Sequence, residues 1–275
     1  MSHAAPADPA TQNATYDATH ARLAREVEHF ERHYAEEAAR GIAPLNDFDK
    51  RRYTSPPANT IFPREFFYHL LAPLAGKDVL EIATGNGNDA CICAHNGANV
   101  HAYDISSKSI ELAQQRAAVN SLSDRIRFQV TDRFADAFPG RRFDHIVGYA
   151  ALHHIPYEGL AQQVYDRLKP GGCAVFAEPV INSRALHLLR RCVPYRIDEP
   201  TEDEQPWNDR VIRQFAEPFD RMVQRDFQIT SRVWRVWPDN WDLALRLHKL
   251  DGVLTRVPGM RKFATVSVFA LSRNR

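Results

Sequence analysis

The chain has 275 residues, 44% of them hydrophobic and 25% charged, with a formal net charge of +1. This is the composition of a globular protein, and it excludes a mostly disordered or fibrous chain. No apolar stretch approaches the about 18 residues that a membrane span needs. The first residues also lack the basic and apolar regions of a secretory signal.

Four cysteines in a chain of this length do not make a disulfide framework and indicate reduced thiols. We therefore expect a cytoplasmic protein, without a membrane partner and without a metal site. Residues 181–275 carry 17 basic and 12 acidic side chains. That excess suits an anionic substrate, but it is too diluted by acids to predict a nucleic-acid surface.

The first 60 residues are expected to form a flexible tail and a helical lid. Residues 1–14 are rich in Ala, Pro, Thr and Asn, which is typical of a mobile terminus. Over 18–40, apolar side chains recur at helical spacing, and Gly41 and Pro44 end the pattern. Residues 54–60 predict a proline-marked linker, and a second helix is expected from Pro63 to Leu74.

From residue 78 onward, short apolar strands alternate with helical stretches. This alternation predicts a parallel sheet that is covered by helices on both faces. The predicted strands are 78–83, 99–104, 126–131, 143–149 and 173–179, and the predicted helices are 88–96, 107–121 and 158–168.

Residues 180–237 are less regular and are expected to form a lid insertion before the last strands. Within and after it, the patterns predict helices at 183–192, 208–218 and 239–256, an acidic loop at 198–206, and strands at 221–236 and 264–271. The remainder of 61–275 forms the main domain.

The most informative segment is the turn that follows the first strand. Gly85 and Gly87 stand between a buried strand and a helix, where glycine lets the backbone approach a ligand closely. Asp104 ends the next strand and can accept hydrogen bonds from both hydroxyls of a ribose. Glu81 lies just before the turn.

Two nucleoside cofactors fit this pattern. The run Gly85 to Ala90 formally satisfies the dinucleotide fingerprint G-x-G-x-x-[GA], which indicates a nicotinamide-dependent oxidoreductase. A pyrophosphate would, however, lie near the Glu81 carboxylate and be repelled by it. S-adenosylmethionine has no phosphate and carries two positive charges, so the acid favours this cofactor.

With these residues in order, the chain resembles the class I S-adenosylmethionine-dependent methyltransferases of the small-molecule type. The resemblance implies a doubly wound, Rossmann-like, mostly parallel α/β sheet of seven strands with helices on both faces. It covers roughly residues 60–180 well. The motifs that carry it are Glu81 with Gly85 and Gly87, Asp104, Asp132, the fourth-strand run 143–155, and Leu168-Lys169-Pro170-Gly171-Gly172.

The resemblance also implies roles for individual residues. Ala83 stands where the family usually has its first glycine. Ile105 is implied to flank the adenine, Asp132 to lie near the adenine amino group, and Arg133 to lie near the purine.

The methionine end of the cofactor is expected to run beside other parts of the chain. The backbones of Tyr149 and Ala150 are predicted to line it. Tyr53, with Arg52, is predicted to close over the cofactor carboxylate.

Methyl transfer needs a base only when the acceptor must lose a proton, and it needs no metal ion. His153 and His154 follow the fourth strand, at the edge where open α/β sheets bind ligands. An imidazole there can accept a proton near neutral pH. Either histidine is therefore a candidate base. Glu178 and the tryptophans Trp207, Trp234, Trp237 and Trp241 are candidates for substrate contact.

We expect methyl transfer from S-adenosylmethionine to a small molecule, with an oxygen or nitrogen acceptor favoured over carbon. The sequence leaves open an oxidoreductase that uses NAD or NADP, and a cofactor-binding protein without catalysis. A nucleic-acid methyltransferase is disfavoured, because Gly148-Tyr149-Ala150-Ala151 replaces the usual Asn/Asp-Pro-Pro-aromatic motif. The oligomeric state is not predicted.

Overall fold

The computed structural model describes residues 9–155, 159–183, 206–232 and 240–274, with side chains from residue 24 onward. The helix expected at 183–192 and the acidic loop at 198–206 lie almost wholly outside these residues. Trp234 and Trp237 also lie outside them.

One sheet of seven strands runs through the described residues. Its order is β3-β2-β1-β4-β5-β7-β6. The first five strands pair in parallel, while β7 is antiparallel to both β5 and β6. The expected mostly parallel sheet is therefore confirmed. The strands are β1 (Asp78–Ile82), β2 (Asn99–Asp104), β3 (Ile126–Val130), β4 (Phe143–Tyr149), β5 (Leu168–Pro179), β6 (Arg221–Phe227) and β7 (Val266–Ser272).

Helices cover the sheet on both faces, as the alternating pattern predicts. Val79 of β1 lies in one apolar cluster and its neighbour Leu80 in another, because successive side chains of a strand point to opposite faces. Residues of α3 and α4 complete the first cluster, and residues of α6 and α7 complete the second. The helices are α1 (Pro9–Ala39), α2 (Asp47–Thr54), α3 (Pro63–Leu71), α4 (Asn88–His95), α5 (Ser107–Val119), α6 (Leu160–Arg167), α7 (Asp209–Ala216) and α8 (Trp241–Leu254).

The N-terminal elements differ from expectation in three places. α1 begins at Pro9, so residues 9–14 belong to the helix and not to a tail; proline is well tolerated in a first helical turn. The sequence does not predict α2, because this helix has no periodic apolar stripe. Its N-cap is Asn46, whose side chain accepts a hydrogen bond from the Asp49 amide. α3 ends at Leu71 and not at Leu74, because the residue before a proline is disfavoured in the helical region.

Two later predictions also need correction. The strand expected at 221–236 ends at Phe227, because Gln228 has a φ of 63°, which no strand accommodates. The fifth strand, expected at 173–179, begins earlier, at Leu168, and so includes residues 168–172. Leu168 pairs with Phe143 and Cys173 with His145, and the register shift between these pairs accommodates the intervening residues.

The turn between β1 and α4 is built from residues in the left-handed region. Ala83, Gly85 and Gly87 have φ angles of 50°, 55° and 76°. At Gly87 a Cβ atom would lie 2.6 Å from the Cβ of Ala113, so only glycine allows α5 to approach. Ala83 reaches the conformation that the usual glycine would take, but its methyl group makes that conformation strained.

We expect Ala83→Gly to raise the free energy of unfolding by about 0.5–1 kcal/mol, because the left-handed penalty of about 1–2 kcal/mol exceeds the entropy that glycine adds to the unfolded chain. Denaturant titration measures this change. The control is Ala90→Gly in α4, where helical backbone makes the same replacement destabilising. A loss of stability in Ala83→Gly would contradict the strain at this turn.

α1 crosses the carboxyl edge of the sheet and is attached to α5 by Glu31. Its Oε1 accepts hydrogen bonds from the amides of Ser107, at 2.6 Å, and Lys108, at 3.3 Å, at the N-terminus of α5. Desolvation acts to raise the pKa of Glu31, but hydrogen bonds from Lys108, Ser106 and Ser107 outweigh it and lower the pKa. The carboxylate therefore stabilises this contact above its unfolded-state pKa, and the contribution disappears as the pH falls through the lowered folded-state pKa.

We expect Glu31→Ala to speed amide exchange at Ser107 and Lys108 by about fivefold to tenfold at neutral pH, since a capping hydrogen bond contributes about 1 kcal/mol. Hydrogen exchange resolved by residue measures the effect. Glu28→Ala, on the exposed side of α1, is the matched control and should leave both amides unchanged. Equal exchange in the two variants would show that Glu31 does not hold α1 on α5.

Candidate functional site

The ends of β1 and β2 bring two buried carboxylates to opposite sides of the glycine turn. Glu81 is 4% exposed and accepts a hydrogen bond from the Thr84 hydroxyl at 2.6 Å. Asp104 is also 4% exposed and accepts hydrogen bonds from the Gly85 amide at 2.8 Å and the Ser106 amide at 3.0 Å. The structure therefore assembles Glu81, Gly85 and Asp104 as the sequence predicts, and the loop amides fix the Asp104 carboxylate.

Burial dominates the electrostatics of this pair. Desolvation and the nearby charge of Asp89 raise the pKa of Glu81 well above its usual value. Desolvation also raises the pKa of Asp104, although hydrogen bonds from Ser106 and Gly85 oppose it. Both acids are therefore poised to gain stabilisation from a ligand that carries positive charge or hydrogen-bond donors.

A second polar cluster lies where α3 meets the start of α4. Arg64 Nη1 lies 2.6 Å from Asp89 Oδ1, and the Tyr68 hydroxyl donates to the same carboxylate. The Arg64 guanidinium carbon lies 4.1 Å from the ring centroid of Tyr149, at the end of β4. Burial acts to lower the pKa of Arg64, but the charge of Asp89 outweighs it and raises the pKa, so Arg64 is a permanent cation beside Tyr149.

Tyr53 does not lie on the turn. Its buried ring packs on Tyr68, with ring centroids 4.9 Å apart, and so it contacts the Asp89 cluster through another side chain. Arg52 is paired with Glu65, with its Nε 2.5 Å from Glu65 Oε1. The predicted contact of Tyr53 with the cofactor carboxylate stays a prediction, and Arg64 is the cation nearest to Tyr149 in this cluster.

The residues implied to bind adenine lie at the ends of β2 and β3. The Thr131 amide donates to the Asp104 carbonyl, which holds these two strand ends together. Ile105 is half-buried, whereas Asp132 and Arg133 are exposed. Arg133 faces Asp136 at 3.6 Å on the surface. Their position at this edge agrees with the implied roles, which remain predictions.

At the end of β4, the chain turns sharply and places the two histidines together. Ala150 has a φ of 55°, and the rings of His153 and His154 lie 4.0 Å apart. His153 Nδ1 lies 2.8 Å from Glu178 Oε2. His154 packs instead against Phe30 of α1, with ring centroids 5.4 Å apart.

Glu178 is fully buried and organises this loop. Its Oε1 accepts hydrogen bonds from the amides of Ala151 and Leu152, at 3.0 and 2.8 Å, while its Oε2 faces His153. The expected substrate contact of Glu178 is therefore replaced by a structural role, because both oxygens are already occupied by the loop.

Tyr34 of α1 covers the glycine turn. A Cβ atom added at Gly85 would lie 2.6 Å from the Tyr34 hydroxyl. Burial, with the charges of Asp104, Glu37 and Glu81, raises the pKa of Tyr34, so it is a neutral phenol. Glu37 of the same helix accepts hydrogen bonds from Asn86 and Arg116 on either side of the turn.

Sequence reasoning missed several of these residues. Tyr34 belongs to the helical apolar pattern over 18–40, which indicates packing and not a ligand site, and no sequence motif assigns a role to Arg64 or Asp89. The sequence signal that could have found Arg64 and Asp89 is a charged residue at the start of a helix. Arg64 follows Pro63 at the start of α3, and Asp89 follows the glycine turn at the start of α4. Trp207, a candidate for substrate contact, is instead 4% exposed and packs on Phe215 and Phe269 in the core.

Among the described residues, no group of three or more His, Cys, Asp or Glu side chains could hold a metal ion. None of the helices in those ranges is long and apolar enough to cross a membrane.

Comparison with known proteins shows what part of this chain is similar to. Residues 79–172 match the family model described as a methyltransferase domain. A ubiquinone biosynthesis O-methyltransferase of Paracidovorax citrulli is 33% identical over 120 residues, which are 43% of this chain and 50% of that protein. A sterol 24-C-methyltransferase of Pneumocystis carinii is 34% identical over 99 residues, 35% of this chain and 26% of that protein. The chain thus aligns with half or less of the length of these relatives.

A solved structure extends the likeness over nearly the whole chain. Magnesium protoporphyrin IX methyltransferase from Synechocystis PCC 6803, with bound SAH, has a TM-score of 0.55 and 16% identity, and covers 91% of this chain and 99% of that chain. At this identity the likeness shows the fold. Residues 79–172 are therefore similar to a methyltransferase domain, and the fold of the chain is similar to that of this solved methyltransferase.

Proposed function

We propose that the protein transfers a methyl group from S-adenosylmethionine to a small molecule, with oxygen or nitrogen as the favoured acceptor. The observation that carries the proposal is the pair of buried carboxylates, Glu81 and Asp104, on either side of the turn after β1. Relatives named as O- and C-methyltransferases support the reaction class and leave the acceptor atom open.

The residues at the turn fit this cofactor better than a dinucleotide. A dinucleotide would place its pyrophosphate at the N-terminus of α4, where helix dipoles favour an anion. Asp89 already occupies the first turn of α4, and Glu81 lies close to it. Arg64 neutralises Asp89, but a phosphate there would still lie near the Glu81 carboxyl group, whereas a sulfonium or an ammonium would be attracted by it.

Each part of the cofactor has matching groups in the chain. Asp104 would accept hydrogen bonds from the ribose hydroxyls, and Ile105, Asp132 and Arg133 would surround the adenine. Arg64, beside Tyr149, offers a cation to the methionine carboxylate. When bound, the cofactor supplies a methyl carbon that its positively charged sulfur activates for displacement.

A cofactor-binding protein without catalysis was left open because Ala83 replaces the usual glycine. Ala83 nevertheless adopts a φ of 50°, close to the 55° of Gly85. The turn therefore forms with alanine present, and this substitution gives no reason to deny the protein catalysis.

His153 is the proposed general base. His153 Nδ1 lies 2.8 Å from the buried Glu178 carboxylate, and donation of the Nδ1 hydrogen to this carboxylate would fix the ring and leave Nε2 to accept a proton. An acceptor oxygen or nitrogen held at Nε2 would give its proton to the ring while it takes the methyl group that a bound cofactor would supply. Glu178 acts as a positioning residue in this scheme.

α1 is proposed to act as the lid of the site. Tyr34 and Glu37 contact the glycine turn, and Phe30 contacts His154, so the described part of α1 spans both the cofactor and acceptor sides. Excluding water in this way strengthens the electrostatic contacts of a charged cofactor. The insertion at 180–237 is proposed to complete the lid.

Two further features support a cytoplasmic location and a small-molecule substrate. Cys91, Cys93 and Cys173 are free thiols, which agrees with a reducing cytoplasm. The absence of an Asn/Asp-Pro-Pro motif after β4 supports a small-molecule acceptor over nucleic acid.

We expect Asp104→Asn to weaken S-adenosylmethionine binding by about 1–3 kcal/mol, because an amide accepts fewer hydrogen bonds than a carboxylate and lacks its charge. Calorimetric titration measures the affinity. Asp124→Asn, an exposed acid before β3, is the matched control and should bind normally. Normal binding by Asp104→Asn, or no binding by the unmodified protein at millimolar cofactor, would refute the proposed function.

We expect His153→Ala to lower kcat by about a hundredfold or more while leaving cofactor affinity unchanged, since a general base contributes about that factor. Added imidazole should restore part of the turnover. His154→Ala is the control and should retain a larger share of kcat. A kcat unaffected by His153→Ala would assign His153 to packing, and failure of imidazole to rescue would argue against a proton-transfer role.

A further inference from the structure

α8 and the turn that follows it present three aliphatic side chains to solvent. Leu250 is 45% exposed, Val253 is 62% exposed and Val257 is 43% exposed. The Val257 amide donates to the Leu254 carbonyl, so the turn continues the course of the helix. Positions 250, 253 and 257 follow helical spacing, and their side chains therefore form one apolar row, here called the α8 stripe.

The opposite face of α8 attaches the helix to the rest of the protein. The buried Asp251 carboxylate accepts hydrogen bonds from the amides of Thr230 and Ser231, at 2.7 and 3.0 Å. The ring of His248 packs on Phe62, with centroids 4.8 Å apart. These contacts fix the rotation of the helix, so the α8 stripe points away from the body of the protein.

Cations flank the α8 stripe on the same face of the helix. Arg246, Lys249 and Arg256 are exposed, and no ion pair involves them within the described ranges. The exposed acid of this face, Asp242, lies about 12 Å along the helix axis from Leu250. The apolar row is therefore set in a local field of positive charge.

This combination suits the surface of an anionic bilayer. Aliphatic side chains on one face of a helix enter the boundary between headgroups and acyl chains, while neighbouring cations are attracted to anionic lipids. A second copy of this chain fits less well, because two-fold pairing of the same face would bring like charges together. Three aliphatic side chains also fall far short of the about 800 Å² per partner that a stable protein interface buries.

We propose that the α8 stripe docks the protein reversibly on an anionic phospholipid bilayer. The three aliphatic side chains enter the headgroup boundary, and the three cations beside them lie against the lipid phosphates. None of these residues belongs to the proposed cofactor site, so the docking does not depend on methyl transfer.

The first test measures sedimentation of the full chain with two kinds of vesicle. One kind is phosphatidylcholine alone, and the other also contains about 30% phosphatidylglycerol. We expect the anionic vesicles to bind at least about tenfold more tightly, because each cation near such a surface contributes about fivefold. Added salt should weaken this binding by screening the charges. Equal binding to the two kinds of vesicle overturns the proposal.

The second test separates the cations of α8 from the net charge of the protein. Lys249→Gln combined with Arg256→Gln should weaken binding to anionic vesicles about twentyfold. The matched control combines Arg141→Gln with Arg142→Gln, two exposed arginines before β4, and should bind as the unmodified protein does. If both double variants bind equally well, overall charge explains the binding and the docking site is wrong.

The third test examines the aliphatic row. Val253→Ser should weaken binding about threefold to tenfold without changing Tm, whereas Val119→Ser, at an exposed valine of α5, should have no effect. An environment-sensitive dye attached to Val253→Cys should shift its emission to shorter wavelength on anionic vesicles, and the same dye on Val119→Cys should not. Absence of either the loss or the shift would leave an electrostatic surface, such as an acidic protein could use, and would overturn docking on lipid.

Analytical ultracentrifugation of the full chain tests the remaining occupant, a second copy. A dimer that Val253→Ser converts to monomers would make the α8 stripe an interface between copies and would overturn the proposal. A monomer that binds anionic vesicles supports it. Binding of S-adenosylmethionine is measured without vesicles, so failure of docking leaves the proposed function intact.

Discussion

The hydrogen bond from the Gly85 amide to the Asp104 carboxylate holds the candidate cofactor site together. It joins the turn after β1 to the end of β2, and it fixes a buried acid where two parallel strands end side by side. A buried carboxylate is costly unless its oxygens are satisfied. The loop amides of Gly85 and Ser106 meet that need and hold the acid at the carboxyl edge of the sheet.

A second buried acid accepts hydrogen bonds from loop amides at the end of β4. The fully buried Glu178 accepts hydrogen bonds from the amides of Ala151 and Leu152 and orients His153 through Nδ1. At both strand ends, an acid on the neighbouring strand fixes a left-handed turn, at Ala83 in one case and Ala150 in the other. Two such turns therefore lie side by side, at the carboxyl ends of the neighbouring strands β1 and β4.

The elements that cover this edge come from the ends of the chain. α1 contacts both turns through Tyr34 and Phe30, and a groove lined by Phe48, Phe62 and Trp241 forms where α2 and α8 meet the start of α3. The methyltransferase match ends at residue 172, whereas these covering elements lie outside it. The match therefore includes Glu81, Gly85 and Asp104 but none of the covering elements.

The sheet and the glycine turn could be predicted from the sequence, because strand and helix periods and the spacing of Glu81, Gly85 and Asp104 are local patterns. It did not reveal Tyr34 on the turn, the Arg64–Asp89 pair, or the groove between Phe48 and Trp241. These contacts join residues far apart in the chain, such as Arg64 and Asp89, 25 residues apart. Only the tertiary structure decides such contacts, because helix packing, and not local propensity, sets which side chains meet.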